Sequence, residues 1–355
     1  MKVDGHLGGE NAAAGNPAQN RAVPAFTATS SSELDEVLET LRSKYFVPAY
    51  LNKRQRNLIY RDKYRTQLEN EPINATLGDE DVPLEHIDRT KDVPKRLPLL
   101  QKAVSLMREK EDWEQVGSML EGLRTSKAVV KADYMERLVR KANEAGMQHV
   151  ILRCLQQADK TGLTLRDPRV LEQVLHGLRE RAQSGEWAEE SVLHAIKQAD
   201  EVARLLEHEE HGTGRKLSQD DPRTSPTVIG VFLELAAVRA WKHTDKKDED
   251  GTVEKYAERL LAVMGSKTQP SITVSDEPGP QPKFSKAIPV WHGLLLARKI
   301  LGSKMPQDQN AQRIVKDYEE QLSRACDKLE SKADATSPST FTARAVRSFR
   351  DAVRA

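Results

Sequence analysis

Between Arg42 and Arg65 the chain reads R-S-K-Y-F-V-P-A-Y-L-N-K-R-Q-R-N-L-I-Y-R-D-K-Y-R. Eight bases stand against one acid, Asp62, in a protein whose net charge is only +1. Bases so concentrated can neutralise phosphates, and the flat rings among them can stack on unpaired bases of RNA. The residues that carry this expectation are Arg42, Lys44, Tyr45, Tyr50, Lys53, Arg54, Arg56, Tyr60, Arg61, Lys63, Tyr64 and Arg65. An ordinary reading competes with it: Tyr60 and Tyr64, with Asn57, could form the packing stripe of a helix whose bases face water. A surface for an acidic protein or a membrane is a further alternative. The single sign of the charge favours RNA, because solvated faces usually mix signs.

A second basic set lies near the C-terminus. Arg344, Arg347, Arg350 and Arg354 recur at spacings of three, three and four, which puts them on or near one face of a helix. This face is read either as a secondary contact for RNA or an acidic partner, or as plain surface.

Other candidate chemistry is weak. His208 and His211 in H-E-E-H are three apart, whereas the zincin pattern needs H-E-x-x-H; no metal site is expected. G-T-G-R-K-L-S at 212–218 lacks the phosphate-loop spacing. His176, His194 and His292 read as packing histidines. Cys154 and Cys326 lie far apart and read as free, buried thiols in a reducing interior. No paired-carboxylate or nucleophile constellation is present, so the chain reads as a non-enzyme without cofactors.

The elements that must position the basic segment are helical. At 355 residues, with 38% hydrophobic and 31% charged residues, the composition suits an elongated helical protein. No run of about 20 apolar residues could span a membrane. Residues 1–33 are rich in Ala, Gly, Asn and Ser and read as disordered. They also contain no evident mitochondrial presequence, with Lys2 and Arg21 as the only bases. Residues 34–43 read as a short amphipathic helix capped by the preceding serines. Pro48 should interrupt the next segment, with a helix restarting near Asn52 and running to about Leu68. Residues 70–97 read as an extended polar connector, and no sheet is expected.

From Leu97 the pattern becomes three helical hairpins, over 97–110/113–123, 132–145/150–155 and 170–175/187–199. Aligning K-E-D-W, E-A-G-M and S-G-E-W places Trp113, Met147 and Trp187 in register, 34 and 40 residues apart. Periods of this size mark stacked hairpin repeats, although an irregular bundle could share the spacing. The organisation expected is all-α. A disordered N-terminus (1–33) leads to an extended basic RNA-docking arm with its connector (34–96). A solenoid-like hairpin array (97–206), a loop (207–225) and a C-terminal helical region (226–355) follow, the last containing a long loop at 266–283. Within that region, helices are expected at 226–243, 252–265, 288–302, 309–331 and 340–354.

The stretch Y-F-V-P-A-Y-L-N-K-R-Q-R-N-L-I-Y-R-D-K-Y-R, with the connector and hairpins after it, resembles the fungus-specific α-helical accessory proteins of the mitochondrial ribosome, those of the large subunit in particular. That resemblance implies a structural role without catalysis, contact with ribosomal RNA and other mitochondrial ribosomal proteins, and a place in the mitochondrial matrix. The hairpins are also similar to pentatricopeptide repeats, which read one base per unit; here the spacing drifts and no code is visible. A protein-only scaffold and a pentatricopeptide-like RNA-processing or translation factor remain the alternatives.

Overall fold

The computed structural model describes residues 22–212, 221–265, 271–274, 282–332 and 341–354. They are mostly α-helical, with one two-stranded sheet among them. The chain divides into two compact units. One holds the described residues up to Val130 together with Asp159–Gly162; the other holds Lys131–Ala158 and the described residues from Leu163 onward. This division falls inside the segment expected to form one hairpin array.

The first unit begins with an ordered strap, residues 22–31, where disorder was expected through residue 33. Val23 is buried, and Phe26 packs near Phe46 with ring centroids 6.1 Å apart. The Thr27 amide donates to Gln115 Oε1 at 3.1 Å, and the Ser30 amide to Asp112 Oδ1 at 2.7 Å. With the Thr29 amide on Asp35 as well, these bonds hold the strap without any apolar periodicity. Residues 1–21 lie outside the described residues.

Helix α1 (Ser32–Leu41) starts as its sequence dictates. Ser31 caps it, its hydroxyl accepting from the Leu34 amide, and Leu34, Val37, Leu38 and Leu41 bury one face. The helix does not stop at Pro48. A five-residue π-helical stretch, Arg42–Phe46, leads into α2 (Val47–Tyr50), and Pro48 sits in the first turn of α2, where a proline has no amide to waste. The true break is at Leu51, whose backbone is extended.

After that break come α3 (Lys53–Tyr60), a 3-10 turn (Asp62–Tyr64) and α4 (Arg65–Asn70). The continuous helix expected to Leu68 is thus divided at Arg61, whose backbone is also extended. The arm is therefore folded rather than extended. Phe46, Val47, Tyr50, Leu51, Ile59 and Leu68 anchor it in the core of this unit.

The connector holds the sheet that periodicity missed. β1 (Asn74–Leu77) pairs antiparallel with β2 (Glu80–Pro83), Leu77 opposite Glu80, across a two-residue Gly78-Asp79 turn. Gly78 has φ +64°, as a glycine-first hairpin turn requires. With only four residues per strand there was little alternation to read. The unit closes with α5 (Arg96–Leu106), α6 (Lys110–Glu114) and α7 (Val116–Thr125).

In the second unit α8 (Ala132–Glu144) and α9 (Gln148–Gln156) form one hairpin. Past the short α10 (Ala158–Thr161), whose residues from Asp159 belong to the first unit, comes the hairpin of α11 (Pro168–Ser184) and α12 (Glu189–Leu205). The two hairpins stack, α8 against α11. Their turns are equivalent: the Met147 amide reaches back to the Ala142 carbonyl at 2.8 Å, and the Trp187 amide to that of Ala182 at 3.0 Å. Gly146 and Glu186 take the left-handed position of a Schellman cap in each. The register of Met147 with Trp187 is therefore structural. Trp113 does not share it; this residue lies inside α6, buried in the first unit.

Helix α13 (Pro226–His243) is the centre of the C-terminal part. It packs on α11, α12, α14 (Thr252–Gly265) and, most extensively, α15 (Pro282–Leu301). Glycines allow the closest approach: a Cβ on Gly293 would lie 2.9 Å from the Glu234 backbone nitrogen. The helix expected from residue 288 begins six residues earlier, at Pro282, which leaves Pro289 in its interior. The apolar run Phe284–Ala297 is buried on nearly all sides, and that packing outweighs the roughly 3 kcal/mol cost of an interior proline. Helices α16 (Asp308–Lys332) and α17 (Phe341–Arg354) complete the unit. Within the expected loops, 213–220, 266–270 and 275–281 lie outside the described residues, and with them most of G-T-G-R-K-L-S.

Candidate nucleic-acid interface

The structure sorts the basic segment into residues that hold the fold and residues that face outward. Tyr50 is 1% exposed and cannot stack on anything, which removes it from the expected contacts. Arg42 is turned inward, its side chain 13% exposed and paired with Glu80 at 2.5 Å. Arg65 pairs with Glu69 at 3.0 Å, one helical turn away. Asp62, the one acid of the segment, meets His86 at 3.3 Å.

What remains is the outer face of α3. Asn52 and Gln55 form a reciprocal capping box, each side chain accepting from the other's amide at 2.9 Å, which fixes where the helix starts. At 100° per residue, Lys53, Arg54, Arg56, Asn57 and Arg61 fall within an arc of roughly 160°, and Ile59 lies on the buried side. Lys53, Arg54 and Arg61 are exposed and Arg56 half-buried. None of the four makes an ion pair or side-chain hydrogen bond among the described residues. Lys44 is likewise unpaired and half-buried.

This arrangement works against the helix. Two cations occupy the first turn of α3 and no acid does. A cation at a helix N-terminus opposes the macrodipole, by about 0.3–1 kcal/mol at an exposed site. Like charges one turn apart add to that cost. Helix stability does not account for these residues.

The aromatic rings are already in use. The Arg89 guanidinium lies 3.9 Å from the centroid of Tyr60, and Lys63 Nζ lies 4.6 Å from that of Tyr64. Tyr45 has Arg96 at 6.0 Å, and its hydroxyl donates to the Pro94 carbonyl. Burial raises the Tyr45 pKa, with Arg96 opposing the shift. Arg89 and Arg96 thus join the basic surface. A search within the 42–65 window could not have found them, for they come from the connector and from the start of α5.

The C-terminal arginines are differently placed. Arg350 pairs with Glu330 at 2.6 Å and Asp327 at 3.2 Å, and Arg344 pairs with Glu180 at 3.4 Å. Arg347 is exposed; nothing is described of the Arg354 side chain. Two of the four charges are therefore spent on holding α17 to its neighbours.

His211 is buried rather than solvated. Its Nδ1 accepts from the Leu165 amide at 3.3 Å, and burial lowers its pKa. This is a packing histidine in its neutral form. Among the described residues no group of three His, Cys, Asp or Glu side chains is placed to hold a metal ion, and no helix is long and apolar enough to cross a membrane. Both cysteines are buried and outside any disulfide, with thiol pKa values pushed up to about 12 for Cys154 and about 11 for Cys326 by burial.

Fold and surface together define a helical-hairpin protein with a cationic outer face on its N-terminal unit. Comparison with known proteins gives that class a family. Residues 12–348 match the family of mitochondrial ribosomal protein mS27 (Mrp13), and the chain belongs to it. It is 27% identical over 255 residues to the small ribosomal subunit protein mS27 of Neurospora crassa. The match covers 67% of this chain and 64% of the relative. The preference for the large subunit is thereby corrected: the relative is a small-subunit protein. The general hairpin-and-arm style that suggested a mitochondrial ribosomal protein carries no mark of either subunit.

Proposed function

We propose that this protein is a structural component of the small subunit of the mitochondrial ribosome, acting in the mitochondrial matrix without catalysis of its own. The outer face of α3, with Lys44, Arg89 and Arg96 around it, docks on ribosomal RNA. The hairpin surfaces of the second unit contact neighbouring mitochondrial ribosomal proteins. The observation that carries this reading is the family match over 12–348, and the unpaired cations on α3 give it a physical means. Lys53, Arg54, Arg56 and Arg61 are the principal RNA contacts, and Lys63 supports them. Arg347 is the member of the C-terminal set most available to a partner. The test is sedimentation of mitochondrial lysate on a high-salt gradient. The protein should travel with the small subunit and its RNA. Recovery only in the light fractions would refute the assignment.

A further inference from the structure

The cations of α3 stand on the convex side of a helix, and the rings that could have made a stacking platform are occupied. From this juxtaposition we infer that the arm recognises the sugar–phosphate backbone of double-helical RNA, independent of base sequence. The inference rests on the proposal that this face binds RNA, and it names the form of RNA that it takes.

Proteins that hold single strands combine a positively charged groove with aromatic side chains on which successive bases stack. Neither component is present on this face. Phe46 and Tyr50 are buried. Tyr60 and Tyr64 each carry a cation against the ring, and Tyr45 is tied through its hydroxyl to Pro94. A base stacking on the face of Tyr60 that Arg89 covers would have to displace it, exchanging one cation–π contact for another interaction of similar size. The concavity beside the segment, about 200 Å³, is the wrong place for a phosphate chain. Glu39, Glu80 and Glu85 line it, and its two bases are Arg42, already paired, and Lys44.

The α3 face has what a duplex needs. Lys53 to Arg61 spans about 12 Å of helix axis. A nucleic-acid duplex carries one phosphate per roughly 1.7 Å of its axis, so four cations over that length can each find a partner. The capping box holds the first turn, and the Ile87 amide donates to the Ile59 carbonyl at 2.7 Å, so the cations are displayed on a fixed element. Few neutral side chains that read base edges stand here: Asn57, and Asn52 and Gln55, whose side-chain oxygens the cap engages. Shape and backbone contacts, not sequence, are how double-stranded RNA is usually recognised.

The experiment uses the purified full chain and fluorescence anisotropy. The probes are an RNA duplex of about 16 base pairs, the length a duplex-binding domain spans, and one of its strands designed to be unstructured. The duplex should bind about tenfold more tightly than the strand, and permuting its sequence should change affinity less than about twofold. Y60L/Y64L should leave duplex affinity within about twofold, because base–aromatic stacking is not used. Equal or tighter binding of the strand, or a loss in Y60L/Y64L comparable to that in K53Q/R54Q/R56Q/R61Q, would overturn the duplex inference while leaving an RNA-binding arm in place. If the quadruple variant binds both probes as the native protein does, the arm itself is not the RNA interface, and both readings fall.

Discussion

Arg89 lies over the ring of Tyr60, the guanidinium carbon 3.9 Å from the ring centroid. The pair joins the connector to α3 and turns a residue that looked like a base-stacking platform into a seat for a cation. It also adds a positive charge to a face that already carries four without an ion pair. Counterion release makes the consequence measurable. Each phosphate contact contributes about 0.7–0.9 to the slope of log K against log salt. K53Q/R54Q/R56Q/R61Q should therefore reduce that slope by about 3–4 with no loss of helical signal. R42Q and R65Q should each change it by less than about 1, since Glu80 and Glu69 already offset those charges. A slope unchanged in the quadruple variant would show that other residues meet the phosphates.

Gly122 and Phe46 constrain one another in the core of the same unit. A Cβ on Gly122 would lie 2.3 Å from the Phe46 ring, which is itself completely buried. Gly122→Ala should therefore destabilise by about 1–3 kcal/mol, the usual range for overpacking. Phe46→Leu in the same chain should recover part of that loss by vacating the space. Urea unfolding of the single and double variants checks it. An additive double variant would mean that the two residues do not share the constraint.

How much of this was legible beforehand follows from the range of each interaction. The apolar stripes of α1, α8, α13 and α16 are local patterns, and the bounds of these helices lie within two residues of where the periodicity placed them. The hairpin turns at Met147 and Trp187 could be aligned because both use the same local cap. The four-residue strands were too short to show alternation, and the strap at 22–31 could not be read. The strap's bonds join residues as far apart as Ser30 and Asp112, and no local window contains both. The basic segment was visible as composition. Its division into paired and unpaired cations was not, because Glu80, Arg89 and Arg96 reach it only through the fold.

In the second unit Glu234 is fully buried between Arg179 and His292. Arg179 Nη2 donates to Glu234 Oε1 at 2.8 Å while its Nε meets Oε2, and His292 Nδ1 lies 2.7 Å from Oε1. Burial alone would raise the Glu234 pKa; the Arg179 charge and the hydrogen bonds from His292 and Arg179 outweigh it and hold the pKa at about 2. A carboxylate lowered on folding contributes stability above its unfolded value of about 4.3 and loses that contribution as pH falls toward 2. Glu180 is also held at about 2: burial opposes its charge, but His176, Arg344 and Arg179 outweigh it. Acid should therefore weaken this unit between pH 4 and 2 from two positions. Glu234→Gln should cost about 3–5 kcal/mol at pH 7, because Arg179 then keeps a buried charge without its counterion. It should also flatten the acid dependence over that window without abolishing it. Urea midpoints at pH 7, 4 and 3 give both quantities. A Gln variant as stable as the native protein at pH 7 would contradict the account.

Asp112 fastens the strap to α6. Its carboxylate accepts from the Ser30 amide and hydroxyl, both at 2.7 Å, and from the amides of Arg108 and Glu109 at 2.8 and 2.9 Å. Burial works against its charge, but those bonds outweigh it and lower its pKa. Truncation to alanine would leave three amides without their acceptor, a loss of about 1–3 kcal/mol at any of them where water cannot replace the bond. The effect should not spread evenly. Arg108 and Glu109 lie next to α6 and can find water, whereas residues 22–31 have few other anchors: Val23 and Phe26, and the Thr27 bonds to Gln115. Asp112→Ala should therefore release the strap before it unfolds the unit. Hydrogen exchange at the Thr27 and Ser30 amides should accelerate by about tenfold or more, the equivalent of about 1.4 kcal/mol, while amides in α7 stay protected. Ser30→Ala, which removes one hydroxyl bond and leaves the amide bond, should give a smaller change in the same direction. Uniform acceleration across the whole first unit would mean that the strap is part of its cooperative core; no acceleration at all would mean that Asp112 does not hold it.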